Sequence, residues 1–141
     1  MASIPTQRTL KKLRAEGYEA EIVEKTIPHS FVKLDFGGFA DILAYRTGET
    51  GCLAIQTTSD PNLSARIKKM TVPDESDKNS QKRLRKIQVW LGAGNRLEAW
   101  GWGKKGERGA RKIWTLRSVP ITLELFEKEV QPAPSVLSCS P

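Results

Sequence analysis

The residue of this sequence best suited to chemistry is Asp41, a carboxylate set within an apolar stretch. Residues 39–45 and 52–56 form two short apolar runs bounded by glycines, which predicts two strands of a β-hairpin. An aspartate on a buried strand is costly unless it is paired, hydrogen-bonded or bound to a metal ion. Gln56 lies near the end of the second run, so the pattern predicts a polar site across the hairpin. The structural alternatives are a carboxylate that accepts backbone hydrogen bonds and an amide that bridges two strands.

The same residues offer the ligands of a hard divalent cation. Mg²⁺ prefers oxygen ligands, commonly one or two carboxylates together with waters and phosphate oxygens. Asp41 offers a carboxylate, Gln56 an amide oxygen and Thr57 a main-chain carbonyl. A metal ion held there would polarise a phosphate and lower the pKa of a bound water, which is the chemistry of phosphodiester hydrolysis.

A single carboxylate would bind a divalent cation only weakly, so a second acid is expected near Asp41. Asp35 lies six residues upstream, beside the pair Gly37 and Gly38. Glu16 is at the end of the first predicted helix, and Glu24, on the first predicted strand, is a third option. We keep these alternatives open here.

Hydrophobic periodicity and turn residues predict the elements that must position this site. Besides the hairpin we expect helices over residues 6–17 (capped by Thr6), 59–70 and 80–91, and strands over 18–27, 31–34, 96–102 and 111–117. Pro120 should interrupt the chain before a last strand or helical turn at residues 121–126. This order predicts an α/β (α+β) fold in which helices flank a mixed central β-sheet. Residues 1–130 suit a single domain, and the Pro- and Ser-rich residues 131–141 are expected to be disordered.

The layout and the motif together resemble the PD-(D/E)XK nuclease superfamily, the fold of restriction endonucleases and archaeal Holliday-junction resolvases. Its core is a helix, a three-stranded antiparallel meander, a helix and a further strand, and the resemblance covers roughly residues 6–103. Asp41 matches the signature aspartate of the second core strand, and Gln56 takes the acid position on the next strand. The resemblance implies a restriction-endonuclease-like core and a metal-dependent DNA endonuclease that uses Mg²⁺ or Mn²⁺, with branched DNA as one candidate substrate.

The sequence departs from that family at Thr58, which stands where the signature lysine should be. Lys68 and Lys69, on the next predicted helix, are candidates to supply the missing cation, and Arg66 is another. In resolvase-like members an acid from the first helix joins the site, which is the reason to consider Glu16. If no cation reaches the site, the alternative is a protein that binds nucleic acid, or regulates, without cutting.

Charge is spread unevenly along the chain, whose net charge is +7. Residues 66–117 hold 15 Lys and Arg against 5 Asp and Glu, hence +10, which is the footprint of a polyanion binder. The alternative is a solvated surface that only aids solubility. The expected DNA contacts lie on the outer face of the helix over residues 80–91 and in the turn that follows residue 103: Lys82, Arg83, Arg85, Lys86, Lys104, Lys105, Arg108 and Arg111.

Other features narrow the class of protein. No apolar stretch approaches the ~20 residues of a membrane span, and two cysteines give no framework of disulfides, so we expect a cytoplasmic protein. Many resolvases act as dimers, so a homodimer is a further expectation, although no stretch marks its interface. The small basic build would suit a phage protein. Trp100 and Trp102 share one strand face and are expected to cover the sheet rather than to stack on bases.

Overall fold

The computed structural model describes residues 3–29 and 33–129, so the predicted tail over residues 131–141 lies outside the described chain. Within those residues the helices are α1 (Ile4–Ala15), α2 (Leu63–Thr71), α3 (Ser80–Gly92) and α4 (Leu123–Glu129). The strands are β1 (Glu19–Ile22), β2 (Lys25–Thr26), β3 (Lys33–Leu34), β4 (Ile42–Tyr45), β5 (Leu53–Ser59), β6 (Arg96–Lys105) and β7 (Ile113–Ile121). No helix among them is long and apolar enough to cross a bilayer.

A five-stranded sheet in the order β1-β4-β5-β6-β7 forms the centre of the molecule. The first three strands make an antiparallel meander, in which Ile42 pairs with Ile55. β6 then runs parallel to β5, and the chain between them contains α2 and α3. The predicted hairpin and the predicted α/β fold with a mixed sheet and flanking helices are therefore confirmed.

β5 is the central strand, and it is longer than its apolar run because it pairs along its whole length with β6. Residues 53–58 are all buried, as expected for a strand that is covered on both faces. Ile55 packs in the cluster beneath α1, whereas Ala54 packs in the cluster beneath α2, α3 and α4. The first cluster holds Leu10, Leu13, Tyr18, Ala20, Ile42, Ala44, Leu53, Ile55, Trp100 and Trp102.

Three local predictions are corrected. α1 begins at Ile4 and is capped by Ser3, whose hydroxyl accepts the N–H of Thr6, so Thr6 is not the cap. The strand predicted over residues 18–27 is divided into β1, which joins the central sheet, and β2, which pairs with β3 in a separate two-stranded ladder. Residues 31 and 32 of the predicted 31–34 strand lie outside the described chain.

The sequence predicted that Pro120 would interrupt the chain, but in the structure it does not. β7 continues through Pro120 to Ile121, and its one partner in the sheet is β6. A proline lacks the N–H of a ladder hydrogen bond, and an edge strand tolerates this loss because one of its sides has no strand to bond. The residues after β7 form α4, so the helical alternative for residues 121–126 is the correct one.

Candidate metal centre and nucleic-acid interface

Asp41 lies immediately before β4 and is buried, with 5% of its surface exposed. Its Oδ2 atom accepts three hydrogen bonds: from Gln56 Nε2 at 2.7 Å, from the Thr57 N–H at 2.9 Å and from Thr57 Oγ1 at 3.1 Å. The Thr57 hydroxyl also lies 3.0 Å from the hydroxyl of Thr6, at the beginning of α1. The carboxylate is thus fixed by the neighbouring strand and, through Thr57, by α1.

These bonds change the expected roles of Gln56 and Thr57. Both were predicted to offer an oxygen to a metal ion. In the structure Gln56 donates an amide N–H to Asp41, and Thr57 donates its main-chain N–H and its hydroxyl to the same oxygen atom. Both residues therefore hold the carboxylate in place, whereas the atoms predicted to bind a metal ion, the amide oxygen of Gln56 and the main-chain oxygen of Thr57, take no part in these bonds and stay a prediction.

Two further carboxylates meet Asp41. One oxygen from each of Glu24, Asp35 and Asp41 lies within 4.8 Å of the other two. Glu24 directly precedes β2 and Asp35 directly follows β3, so the small β2–β3 ladder brings their side chains together. The structure thus brings Asp35 to the site, as the sequence predicted, and adds Glu24, which the sequence had offered as a third option. We call these three residues the acid trio.

Burial and charge both raise the pKa of Asp41, to about 6 from an ordinary value of 3.8. The larger cause is loss of water around the carboxylate, and the second is the neighbouring charge of Asp35, while the hydrogen bonds from Thr57 act in the opposite direction. Carboxylates this close repel one another when ionised, and a divalent cation between them relieves the repulsion. The chemistry of the trio therefore suits a hard metal ion.

Glu16 is not brought to this site. It follows α1 at its C-terminal end, where its carboxylate accepts a bond of 2.8 Å from Lys12 Nζ and is exposed. Thr6 lies at the end of α1 that contacts the site. The ten residues between Thr6 and Glu16 span about 15 Å along the helix. The prediction that Glu16 completes the site is corrected for this reason: it is on the correct helix but at the wrong end.

A cationic cleft of about 440 Å³ adjoins the acid trio through Asp35. Gly37 and Gly38 line it, together with four cationic residues: Lys69, Lys82, Arg83 and Lys86. Lys69 was one of two lysines predicted to replace the missing signature lysine, and it does line the cleft beside Asp35. Lys68 lines a second cleft, with Asp74, Glu75 and Asp77, and Lys69 lines that cleft as well. Of the two lysines, Lys69 is therefore the one that also lines the cleft beside Asp35.

Arg83 is the exception to the exposed basic face predicted for α3. It is buried, with 7% of its surface exposed, because the loop between α2 and α3 folds back onto it. Its Nη2 atom lies 2.8 Å from Asp77 Oδ2, and its Nε donates to the main-chain oxygen of Lys69 at 3.4 Å. Lys82, Arg85 and Lys86 are exposed as predicted. Arg83 is therefore a fixed cation in the wall of the cleft rather than a member of the exposed face.

Thr58, at the position of the signature lysine, is buried on β5 with 6% of its surface exposed. It pairs with Gly101 of β6. No residue of β5 carries a positive charge, so any cation at the trio must come from another element, and α2 and α3 supply the cations that line the adjoining cleft.

The β6–β7 hairpin carries a second basic surface. Lys104, Arg108 and Arg111 are exposed there, as predicted for phosphate contacts. Lys105 is also exposed, but its Nζ atom lies 3.0 Å from Asp60 Oδ2, an acid that also pairs with Arg117. The charge of Lys105 is therefore partly neutralised within the protein, unlike the exposed charges of Arg108 and Arg111, for which the described chain shows no such acid.

The tryptophans are divided between the hydrophobic clusters on the two faces of the sheet. Trp100 and Trp102 are buried in the cluster beneath α1, and Trp102 donates to the hydroxyl of Thr9 at 2.9 Å, so the prediction that they cover the sheet is confirmed. Trp114 packs against the same cluster, with the guanidinium of Arg8 4.0 Å from its ring centre. Trp90 packs on the opposite face, against the cluster beneath α3.

Comparison with models of protein families, with curated proteins and with solved structures found no match to this chain. What this protein does must therefore be inferred from the geometry of its own residues: a trio of acids, of which Asp41 is buried and the other two are half-buried, that adjoins a cleft with four cations.

Proposed function

We propose that this protein is a metal-dependent DNA endonuclease of the PD-(D/E)XK type, which hydrolyses phosphodiester bonds. The observation that carries the proposal is the acid trio beside the cationic cleft, because phosphodiester hydrolysis needs a hard cation and positive charge around the phosphate. The order of elements gives further support, since a helix, an antiparallel meander, helices and a parallel strand is the layout that the resemblance implies.

In this proposal the acid trio holds one Mg²⁺ or Mn²⁺ ion through its carboxylate oxygens. When bound, the ion would supply polarisation of the phosphate and a water of lowered pKa. Thr57 and Gln56 keep Asp41 in one orientation through its Oδ2 atom, within reach of Asp35 and Glu24. Lys69 takes the role of the missing signature lysine, because it lines the cleft next to Asp35.

The cleft and the β6–β7 hairpin would hold the DNA backbone. Lys82 and Lys86 offer mobile point charges to phosphates, and the buried guanidinium of Arg83 adds a fixed one. A homodimer remains an expectation of the resemblance alone.

A second candidate function is DNA binding without cleavage. Two observations favour it: Thr58 leaves β5 without a cation, and Gln56 adds no carboxylate to the site. A binder needs the basic surfaces only, whereas a nuclease needs the acid trio as well. The two functions are therefore separated by the requirement for a divalent metal ion and for Asp41.

A cleavage assay tests the proposal. Wild-type protein, Asp41→Ala and the control Asp74→Ala are incubated with branched, single-stranded and duplex DNA in Mg²⁺, Mn²⁺ or EDTA. Loss of an outer partner of a metal site typically costs 10- to 100-fold, so loss of a direct ligand should reduce cleavage by about 100-fold or more. Asp74 is an exposed acid of the α2–α3 loop, outside the trio, and its variant should cut at the wild-type rate.

The outcomes separate the two functions. Cleavage that requires metal and disappears in Asp41→Ala supports the nuclease. Salt-sensitive binding of DNA by all three proteins, with no cleavage in either metal, would favour the binder. An Asp41→Ala protein that still cuts in Mg²⁺ would exclude the role proposed for the trio.

A further inference from the structure

An aromatic cavity of about 580 Å³ lies next to the cationic cleft. Its apolar lining comes from the turn before β4 and from α3: Phe36, Phe39, Val89 and Trp90. The ring centres of Phe36 and Trp90 are 5.6 Å apart, and those of Phe36 and Phe39 are 5.8 Å apart, both with edge-to-face geometry. Arg85 and Lys86 also line this cavity, so an apolar surface is flanked by positive charge.

The cavity combines a fixed wall with an exposed apolar rim. Phe39 is buried, and Trp90 is held by a hydrogen bond of 2.7 Å from its Nε1 atom to the main-chain oxygen of Arg96. At the rim, 38% of the surface of Phe36 and 66% of that of Val89 is exposed. Packing among the residues that the structure describes therefore leaves a ring and an aliphatic side chain uncovered beside two cations.

The aromatic cavity and the cationic cleft adjoin each other. Gly37 and Lys86 line both of them. Gly37 has a φ of 62°, and a Cβ atom there would collide with the ring of Phe39, so only glycine allows the turn to lie this close to the aromatic wall. Phe36 is adjacent in the chain to Asp35 of the acid trio. Aromatic wall, cations and acids thus follow one another along a single surface.

We propose that this surface binds an unpaired nucleotide, with its base against Phe36 in the aromatic cavity and its phosphate on Lys82 and Lys86 in the cleft. Bases within a duplex are stacked on one another and cannot reach an aromatic side chain, whereas every unpaired base offers a π-face. The substrate class is then single-stranded or locally unpaired DNA, such as an end, a flap or a branch. This inference rests on the proposed function, in that it takes DNA as the ligand.

The charge around the cavity favours a nucleotide over an apolar peptide. Cations line the aromatic cavity and the adjoining cleft, which matches the presence of both base and phosphate along one strand, and aromatic platforms beside a positive groove are the usual means of binding single strands. An apolar peptide would use the rings but leave the adjoining cations of the cleft without partners.

The test compares two ligands of equal charge in EDTA, where no cleavage occurs. One is a short fluorescent thymidine oligonucleotide, and the other is an abasic chain with the same number of phosphates. Binding is measured by fluorescence anisotropy for the wild type, for Phe36→Leu, which keeps an apolar side chain, and for Phe36→Tyr, which keeps the ring. The control Tyr45→Leu removes an exposed ring on β4, outside the cavity.

The wild type should bind the thymidine chain about ten-fold or more tightly than the abasic chain. Phe36→Leu should lose most of this preference, while Phe36→Tyr and Tyr45→Leu should keep it. Circular dichroism confirms that each variant is folded.

Two results would overturn the inference, and they differ in what they say about the proposed function. Equal, salt-sensitive binding of both chains by the wild type would mean that the surface contacts phosphates only, and the proposed nuclease would be unaffected. No binding of either single-stranded chain at low salt would exclude this surface as a site for unpaired DNA, and if the protein also failed to bind duplex and branched DNA, the result would contradict DNA as the ligand and remove the basis of both proposals.

Discussion

Asp41 is at once the most buried member of the acid trio and the most constrained. It accepts three hydrogen bonds on one oxygen atom, and those bonds come from residues next to each other on β5. The bonds lower its pKa, but loss of water and the charge of Asp35 outweigh them. The side chain is therefore fixed in position, while ionisation of its carboxylate is energetically unfavourable, as expected of a metal ligand before the metal ion binds.

The raised pKa of Asp41 predicts how stability depends on pH. Because its pKa in the folded state, about 6, is above the ordinary value of 3.8, the folded state binds this proton more tightly. The contribution of Asp41 to the free energy of unfolding should therefore fall as pH rises from about 4 to about 6, by about 2 to 3 kcal/mol, and stay constant above that. Asn has no carboxylate to ionise, so Asp41→Asn should not lose this stability as pH rises. The variant should therefore have a larger free energy of unfolding than the wild type at pH 7 in EDTA.

Urea unfolding of both proteins at pH 4, 5, 6 and 7 measures the effect. The difference in free energy between variant and wild type is the quantity to compare, because Asp60, Asp74 and Asp77, whose pKa values are lowered, change the stability of both proteins alike. A difference that stays constant over this range would contradict the raised pKa.

At the scale of elements, short connections decide which residues meet. The two-residue strands β2 and β3 bring Glu24 and Asp35 to Asp41, and the loop between α2 and α3 sets Arg83 into the wall of the cleft. The turn between β4 and β5 has a similar role at the other end of the sheet. There Cys52 donates its N–H to Asn95 Oδ1 at 2.9 Å, and its carbonyl accepts the N–H of Arg96 at 2.9 Å, which sets the start of the parallel pair β5–β6.

Gly51 and Gly48, in that turn, form a matched pair for a stability prediction. Both have positive φ, +79° and +93°, so alanine at either position should cost about 1 to 2 kcal/mol in backbone strain. At Gly51 a Cβ atom would also overlap the main-chain oxygen of Gly94, whereas at Gly48 no atom lies within 4 Å. Gly51→Ala should therefore cost about 1 to 3 kcal/mol more than Gly48→Ala in urea unfolding. Equal costs would mean that the β4–β5 turn at Gly51 does not contact the main chain at Gly94 in solution.

For the molecule as a whole, charge is the dominant surface property. The net charge of +10 over residues 66–117 is divided in space between the cleft and exposed face of α3 and the β6–β7 hairpin. Some of this charge is already neutralised by acids of the same chain: Arg83 by Asp77, and Lys105 by Asp60. Cations that have no such acid are the ones expected to release counterions when DNA binds.

The salt dependence of DNA binding should separate these classes of cation. On duplex DNA, each phosphate contact contributes about −0.9 to the slope of log K against log salt concentration. The double variant Arg108→Ala/Arg111→Ala should therefore make the slope shallower by about 1 to 2 units. Lys12→Ala is the control, because Lys12 pairs with Glu16 at 2.8 Å on α1 and should leave the slope unchanged. If the double variant keeps the wild-type slope, the hairpin does not contact the backbone of DNA.

What the sequence alone determined is local or depends on pattern. Apolar runs bounded by glycine predicted β4 and β5, and helical periodicity predicted α3 to within one residue, because these signals lie within each segment. An acid in an apolar run also marked Asp41, since the cost of burying a carboxylate can be read without a partner.

Only the tertiary structure decided which distant residues join Asp41. Glu24 rather than Glu16 reaches it, because β2 and β3 pair across a gap in sequence that no periodicity reveals. Arg83 is buried although its neighbours on α3 are exposed, because a loop from outside the helix covers it. Long-range contacts of this kind depend on how elements pack against one another, and that information is not contained in any single stretch of the chain.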